Sequence, residues 1–315
     1  MSPPNVHLLR HQHTPPALRE RELQWWARYG GVEERYSWGV VDSWQPPARL
    51  RYIGRMAEVF AGCSHVVDYG CGSGWLARTL AERMQRSVTG VDFSAEQIGL
   101  AAQRHADCPW TLFVPIDGPD DLPRAPGYVF HGLLHHLSSA EIVALLHRVG
   151  IVAPSGARLV FVEPVCFPGN VPDAPDQVLL EVIDEVVKEP FREAQARGVA
   201  IVPAVQQARS EADTRWWGTA PYGPSPMEKP FERDELPRLL AQWFECSAAQ
   251  LVQFLPASQA LAGELALLRD CDEALADAIA PGLMAQMDAL ERVVLRLPRQ
   301  PDAGWYLQMI EARVR

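Results

Sequence analysis

The run VVDYGCGSGW sets Asp68, Gly70, Gly72 and Gly74 at the turn between a predicted strand and a predicted helix. Glycine there lets the backbone come close to a ligand, and the helix that follows exposes N–H groups at its start. Spacing narrows the choice of ligand. The dinucleotide fingerprint G-x-G-x-x-G needs glycine at position 75, where this chain has Trp75. A phosphate-cradling P-loop needs Gly-Lys-Ser or Gly-Lys-Thr, and no lysine stands near this turn. An acid, Asp92, ends the next predicted strand 24 residues after Asp68, where a carboxylate can accept both hydroxyls of a ribose. Farther on, HGLLHHLS groups His131, His135 and His136 after the fourth predicted strand, and VFVEP ends the fifth with Glu163. An imidazole titrates at about pH 6.5 and can take a proton near neutrality. On that ground His131 is a candidate for the lining of the site and His135 or His136 for a base, with packing at a helix start the favoured reading of His136. Glu163 stands at the sheet edge where open α/β sheets bind ligands, so it is either an amine-binding group or base, or a solvent-facing carboxylate.

These groups need a frame. Apolar residues at three- and four-residue spacing, with Pro in front and Gly behind, predict helices over Pro15–Gly31 and Pro46–Gly62. From His65 short β-branched runs alternate with helical windows: HVVDYG, WLARTLAERM, SVTGVD, AEQIGLAAQRH, WTLFVP, GYVFHGLL, SAEIVALLHRV, ARLVFVEP. Such alternation implies an α/β fold, a mostly parallel sheet with helices on both faces. After Pro164 it stops for about 65 residues, too long for a bare loop, which predicts an insertion. Its QVLLEVIDEVVKEPFREAQARG reads as a helix ended by Gly198, and its TRWWGTAPYGPSPMEKP is rich in Pro, Gly and aromatics. The alternation resumes with a helix near Asp234 in FERDELPRLLAQWF, a strand in FECSAAQLVQF, a helical block from about Ser258 to Arg296 and a closing strand in GWYLQMIEARV.

Strand, glycine turn, helix, strand and acid in this order resemble the first motifs of the class I S-adenosylmethionine-dependent methyltransferases. The resemblance covers Cys63 to Pro164 closely, and FERDELPRLL…FEC and GWYLQMIEAR more loosely. It implies a Rossmann-like sheet and S-adenosylmethionine as cofactor. The backbone from Gly70 through Cys71 to Gly72 would face the methionine part, with Asp68 behind it, Asp92 at the ribose, Phe93 at the adenine and His131 lining the site. Asp117 is the nearest match to the family's acid for the adenine amine, but it stands one position early in VPIDGPDDLP. The family's N-terminal helices and the insertion after its fifth strand form a lid, which implies a division into a lid (1–62), a cofactor-binding core (63–165), an insertion over the substrate pocket (166–230) and the rest of the core with a helical insertion (231–315, with 258–296). In that lid Tyr36, Trp38, Trp216 and Tyr222 are expected to close the acceptor pocket, with Tyr36 joining His135 and Glu163 as a candidate catalytic residue; Trp25 and Trp26 read as packing within their helix. The Asn/Asp-Pro-Pro-aromatic motif of nucleic-acid and protein amide methylases is absent after the fourth strand, which favours a small-molecule acceptor.

Two other functions share these residues. The aromatic lid also resembles that of azetidine-2-carboxylate synthases, in which the methionine amine attacks its own γ-carbon and expels methylthioadenosine. A non-catalytic S-adenosylmethionine-binding protein is the other, although the glycine turn and the acid are both intact. Composition bounds the partners. With 29 Lys and Arg against 39 Asp and Glu the chain carries a formal charge of −10, a balance that repels nucleic acid. No apolar run is long enough for a bilayer helix. The six cysteines lack C-x-x-C pairs and read as reduced thiols, and the N-terminal stretch lacks an apolar signal region, so the expected location is the cytoplasm. His7, His11 and His13 read as solvated, and no metal is expected. The 258–296 block is either a homodimer surface or part of the cap.

Overall fold

The computed structural model describes residues 13–36, 45–206 and 226–315, with side chains of 29–36 left aside. Two helices open the described chain, α1 (Pro16–Tyr36) and α2 (Pro47–Val59). The α/β core follows as β1 (His65–Tyr69), α3 (Trp75–Met84), β2 (Ser87–Asp92), α4 (Ala95–Arg104), β3 (Thr111–Pro115), β4 (Gly127–His131), α5 (Ser139–Val152) and β5 (Arg158–Cys166). After these come α6 (Ala174–Ala196), β6 (Phe231–Glu232), α7 (Glu235–Leu240), β7 (Glu245–Phe254), α8 (Leu255–Arg269), α9 (Glu273–Arg296) and β8 (Tyr306–Arg313). The sheet order is β3-β2-β1-β4-β5-β8-β7, with β6 paired to the end of β5. β8 runs antiparallel between β5 and β7, and the pairs from β3 through β5 are parallel.

Side chains on a strand alternate between faces, and here that alternation builds two cores. Val67, Phe130, Phe161 and Ile310 face one side, where Ile142, Leu145 and Val149 of α5 cover them. Their neighbours Val66, Val129, Val160, Val162 and Met309 face the other, against Ile53 and Met56 of α2 and Leu76 and Leu80 of α3. Both faces of the central strands β1, β4 and β5 are thus buried, and their apolar runs are interrupted inside only by the buried carboxylates Asp68 of β1 and Glu163 of β5.

The helix starts follow local chemistry. Ser94 caps α4 by accepting the Gln97 N–H, and Ser138 with Glu141 forms a full capping box on α5. Gly74, at φ 84°, leads into α3. Above the sheet α6, α8 and α9 pack on one another, and α1 lies across α8 and α4. α8 is buried along its length from Leu255 to Leu268.

Three boundaries differ from those the sequence suggests. The block expected from Ser258 to Arg296 is two helices, divided where the Asp272 carboxylate accepts the Leu275 N–H and starts α9. α1 continues past Gly30 and Gly31 to Tyr36, since glycine inside a helix costs only about 1 kcal/mol. The two-residue β6 precedes α7 in a stretch expected to be helix alone. No described helix is long and apolar enough to cross a membrane.

Candidate functional site

A cleft, partly open to solvent, lies at the carboxyl ends of β1, β2 and β4, with α1 along one side. Its floor is the turn after β1. Gly70, Gly72 and Gly74 all have left-handed backbones, with φ of 79°, 52° and 84°. Two of them are required by packing: a Cβ at Gly70 would stand 2.7 Å from Leu133, and one at Gly74 would stand 2.5 Å from Phe113. Gly72 differs, because a Cβ there would meet nothing within 4 Å. Its missing side chain leaves bare backbone facing the cleft.

Asp92 ties this turn to the start of α4. The Gly72 N–H donates to its Oδ2 at 3.0 Å and the Ser94 N–H to its Oδ1 at 2.8 Å. The carboxylate is buried, and burial raises its pKa although the backbone N–H groups of Ser94, Gly72 and Phe93 counter that. A carboxylate has about four lone-pair sites, so each oxygen keeps capacity for a hydroxyl donor. Asp68 lies deeper, 2% exposed. Its Oδ2 is buried without a hydrogen-bond partner in the structure, and burial, then the nearby Asp92, pushes its pKa up to about 7. A buried carboxylate oxygen in that condition suits a cationic donor.

His131 lines the far side. Its Nε2 is 3.1 Å from the Tyr52 hydroxyl, the two rings stack at 5.8 Å, and the edge of Trp75 approaches at 5.4 Å. Burial, then the Arg49 charge, lowers its pKa to about 3, so it is neutral at physiological pH.

The near side is α1. Arg19 sits 5.8 Å from the Phe93 ring and pairs with Glu141 at the start of α5. The Trp26 carbonyl accepts a bond of 3.0 Å from Gln97 on α4. Between them Glu22, 1% exposed, collects three donors: Trp26 Nε1 at 2.9 Å, the Met227 N–H at 3.0 Å and His136 Nδ1 at 3.0 Å. The His136 pKa is raised, burial being more than offset by Glu22 and, farther off, Glu228 and Glu163.

Of the residues singled out in the sequence, Asp68, Gly70, Cys71, Gly72, Asp92, Phe93 and His131 all line this cleft. Asp117 does not; its N–H donates to Asp121 beyond β3. His135 and Glu163 do not line it either. Glu163 is fully buried, neither solvent-facing nor open to a ligand. It accepts the N–H groups of Leu133 and Leu134 at 2.9 and 2.8 Å, that of His135 at 3.3 Å, and His135 Nδ1 at 2.9 Å. It braces the turn after β4. Its pKa rises to about 7 through burial, with the three backbone donors opposing. His136, a base candidate in the sequence although packing is its favoured reading there, is the histidine of this pair that reaches the cleft. Trp38, Trp216 and Tyr222, the side chain of Tyr36, and His7 and His11 lie outside the described residues. Sequence reasoning passed over Glu22, Arg19 and Gln97 and read Trp26 as packing. The one local signal was Glu22 standing four residues before Trp26 on the same helix face. Among the described residues no group of three or more His, Cys, Asp or Glu is placed to hold a metal.

Residues 66–156 match the protein-family model described as a methyltransferase domain. An uncharacterized methyltransferase of Mycobacterium tuberculosis is 36% identical over 112 residues, covering 34% of this chain and 56% of that protein. The N-demethylindolmycin N-methyltransferase of Streptomyces griseus is 35% identical over 66 residues, 20% of this chain and 28% of that one. The matched segment thus spans about half, or less, of these relatives. The solved structure of the 4+2 cyclase SpnF superposes with a TM-score of 0.53 at 15% identity, over 96% of this chain and 98% of that one. At that identity the likeness concerns the fold.

Proposed function

We propose that the chain, whose residues 66–156 match a methyltransferase-domain model, is a class I S-adenosylmethionine-dependent methyltransferase that acts on a small molecule. The observation that carries this reading is the open face of Gly72 between two buried carboxylates, Asp68 and Asp92. Bound there, S-adenosylmethionine would supply a methyl group already activated on a sulfonium, and the site's residues suit it. Gly72 lets the ligand lie against the backbone; Asp92 has capacity for ribose hydroxyls; the buried, unpartnered oxygen of Asp68 suits an ammonium group. Phe93 and Arg19 flank the place for a planar base. His131, kept neutral, adds no charge against a cation, and Trp75 beside it offers an aromatic surface worth about 0.5–2 kcal/mol to a sulfonium.

The protein's share of such a reaction is chiefly positioning, which can supply roughly 7–11 kcal/mol. α1 forms a wall of the cleft, so acceptor and methyl donor would meet beneath it, shielded from water. Trp38, Trp216 and Tyr222 are kept as the proposed closure of the acceptor pocket. A small acceptor is supported by the net charge of −10, by the absent amide-methylase motif, and by a relative whose name specifies a small molecule.

The test is incubation with S-adenosylmethionine, with and without a pool of small acceptors, followed by mass spectrometry. Adenosylhomocysteine formed only when acceptors are present supports methyl transfer. Methylthioadenosine formed without them shows intramolecular cyclisation, and binding without either product shows a non-catalytic binder; both would overturn the proposal.

A further inference from the structure

We infer that Glu22 and His136 are the proton-accepting pair of this site, and that the acceptor is therefore a protic nucleophile, a hydroxyl or an ammonium group that must lose a proton as it is methylated. The inference rests on the methyltransferase reading and specifies its substrate class. Three observations carry it. Both residues line the cleft, although they come from α1 and from the turn after β4. Glu22 meets His136 Nδ1 at 3.0 Å while Trp26 Nε1 and the Met227 N–H fix the same carboxylate from two other directions. Finally, the Trp26 ring stands edge-on to the imidazole at 5.2 Å, which fixes its plane. A carboxylate that holds one ring nitrogen sets the tautomer and stabilises the imidazolium as it forms. The neighbouring His135–Glu163 pair has the same chemistry but is sealed from the cleft.

In the step inferred, a hydroxyl's proton passes to the His136 imidazole as an oxygen lone pair bonds to the methyl carbon, whereas an ammonium first gives a proton to the imidazole and the lone pair so freed on nitrogen then bonds to the methyl carbon. The carbon–sulfur bond breaks with its electron pair going to sulfur, which becomes a neutral thioether, and the imidazolium returns its proton to solvent. The groups facing His136 among the described residues are Glu22 from α1, Glu163 from β5, Glu228 from the segment before β6 and His135, whose ring centroid is 3.9 Å away. The three carboxylates all favour the protonated ring.

Calorimetry with S-adenosylhomocysteine comes first. Wild type, His136→Gln and Glu22→Gln are expected to bind within about threefold of one another, whereas a folded wild type that does not bind would overturn the methyltransferase reading itself. Transfer of labelled methyl is then measured to catechol, tyramine and benzyl alcohol, and to iodide, which carries no proton. His136→Gln should lower kcat for the protic acceptors about 100-fold or more and leave iodide methylation within about threefold. The wild-type pH profile should show a limb above the ordinary imidazole range that falls in Glu22→Gln. Should no protic compound be methylated by a protein that binds adenosylhomocysteine, or should His136→Gln leave their kcat and the pH limb unchanged, the inference is wrong.

Discussion

One carbon added at Gly72 and one added at Gly70 have different consequences. At Gly72 the new methyl enters open space in the cleft, and the cost to the fold is the left-handed backbone alone, about 1–2 kcal/mol. Gly72→Ala should therefore fold and bind adenosylhomocysteine at least tenfold more weakly by calorimetry. At Gly70 the methyl collides with Leu133, so Gly70→Ala should lower the melting temperature further than Gly72→Ala does. Glu163→Gln tests the brace. An amide placed among the N–H groups of Leu133, Leu134 and His135 leaves donors facing donors, and the expected loss is about 1–3 kcal/mol in urea unfolding. At this scale the sequence was legible where the role depends on local spacing. The turn from Asp68 to Gly74 and the acid Asp92 could be read because their chemistry is set within a strand and its turn. His135 and His136 could not be told apart, because one step in a tight turn reverses which ring faces the cleft. Glu22 meets His136 across 114 positions of sequence, 136 minus 22, and no periodicity reports such a meeting.

The helices decide who can reach the site. α1 is held at Arg19–Glu141, at the Trp26 carbonyl and at Glu22–His136, and the chain just before it at Thr14–Glu141. Partly exposed ion pairs contribute little to global stability, about 0–1 kcal/mol, yet this one pins a wall of the cleft. Arg19→Ala should thus leave the melting temperature within about 2 °C while adenosylhomocysteine dissociates several-fold faster in stopped flow. An unchanged dissociation rate would show that α1 does not hold the ligand in. The strands β1 to β5, β7 and β8 were legible as elements because short β-branched or alternating runs stand between helical windows. The division of α8 from α9 was harder to see. Asp270 and Asp272 interrupt the apolar pattern only briefly, and the break depends on the Asp272 cap.

Seen whole, the molecule carries its titrating acids inside. Glu291 of α9 is fully buried, accepts the Phe254 N–H where β7 turns into α8, and has its pKa pushed up to about 8 by burial. From its ordinary value of 4.5 up to about 8, the folded chain keeps a proton there that the unfolded chain has released. The folded state binds more protons in that window, so stability falls as pH rises through it. Asp68 and Glu163, each near 7, and the raised His136 act in the same direction. The lowered His131 acts oppositely, but only below about pH 6.5. The melting temperature should decline from pH 6.5 to 8.5, and Glu291→Gln should flatten that decline; equal slopes in the two proteins would remove Glu291 as a cause.

The central claim is that the Gly72 turn and Asp92 hold an adenosyl ligand in the cleft. Titrating the folded protein with S-adenosylhomocysteine in a calorimeter tests it most directly. The expected result is saturable one-site binding that Asp92→Ala weakens at least tenfold while the protein stays folded. No binding by the wild type, or equal binding by the variant, would contradict it.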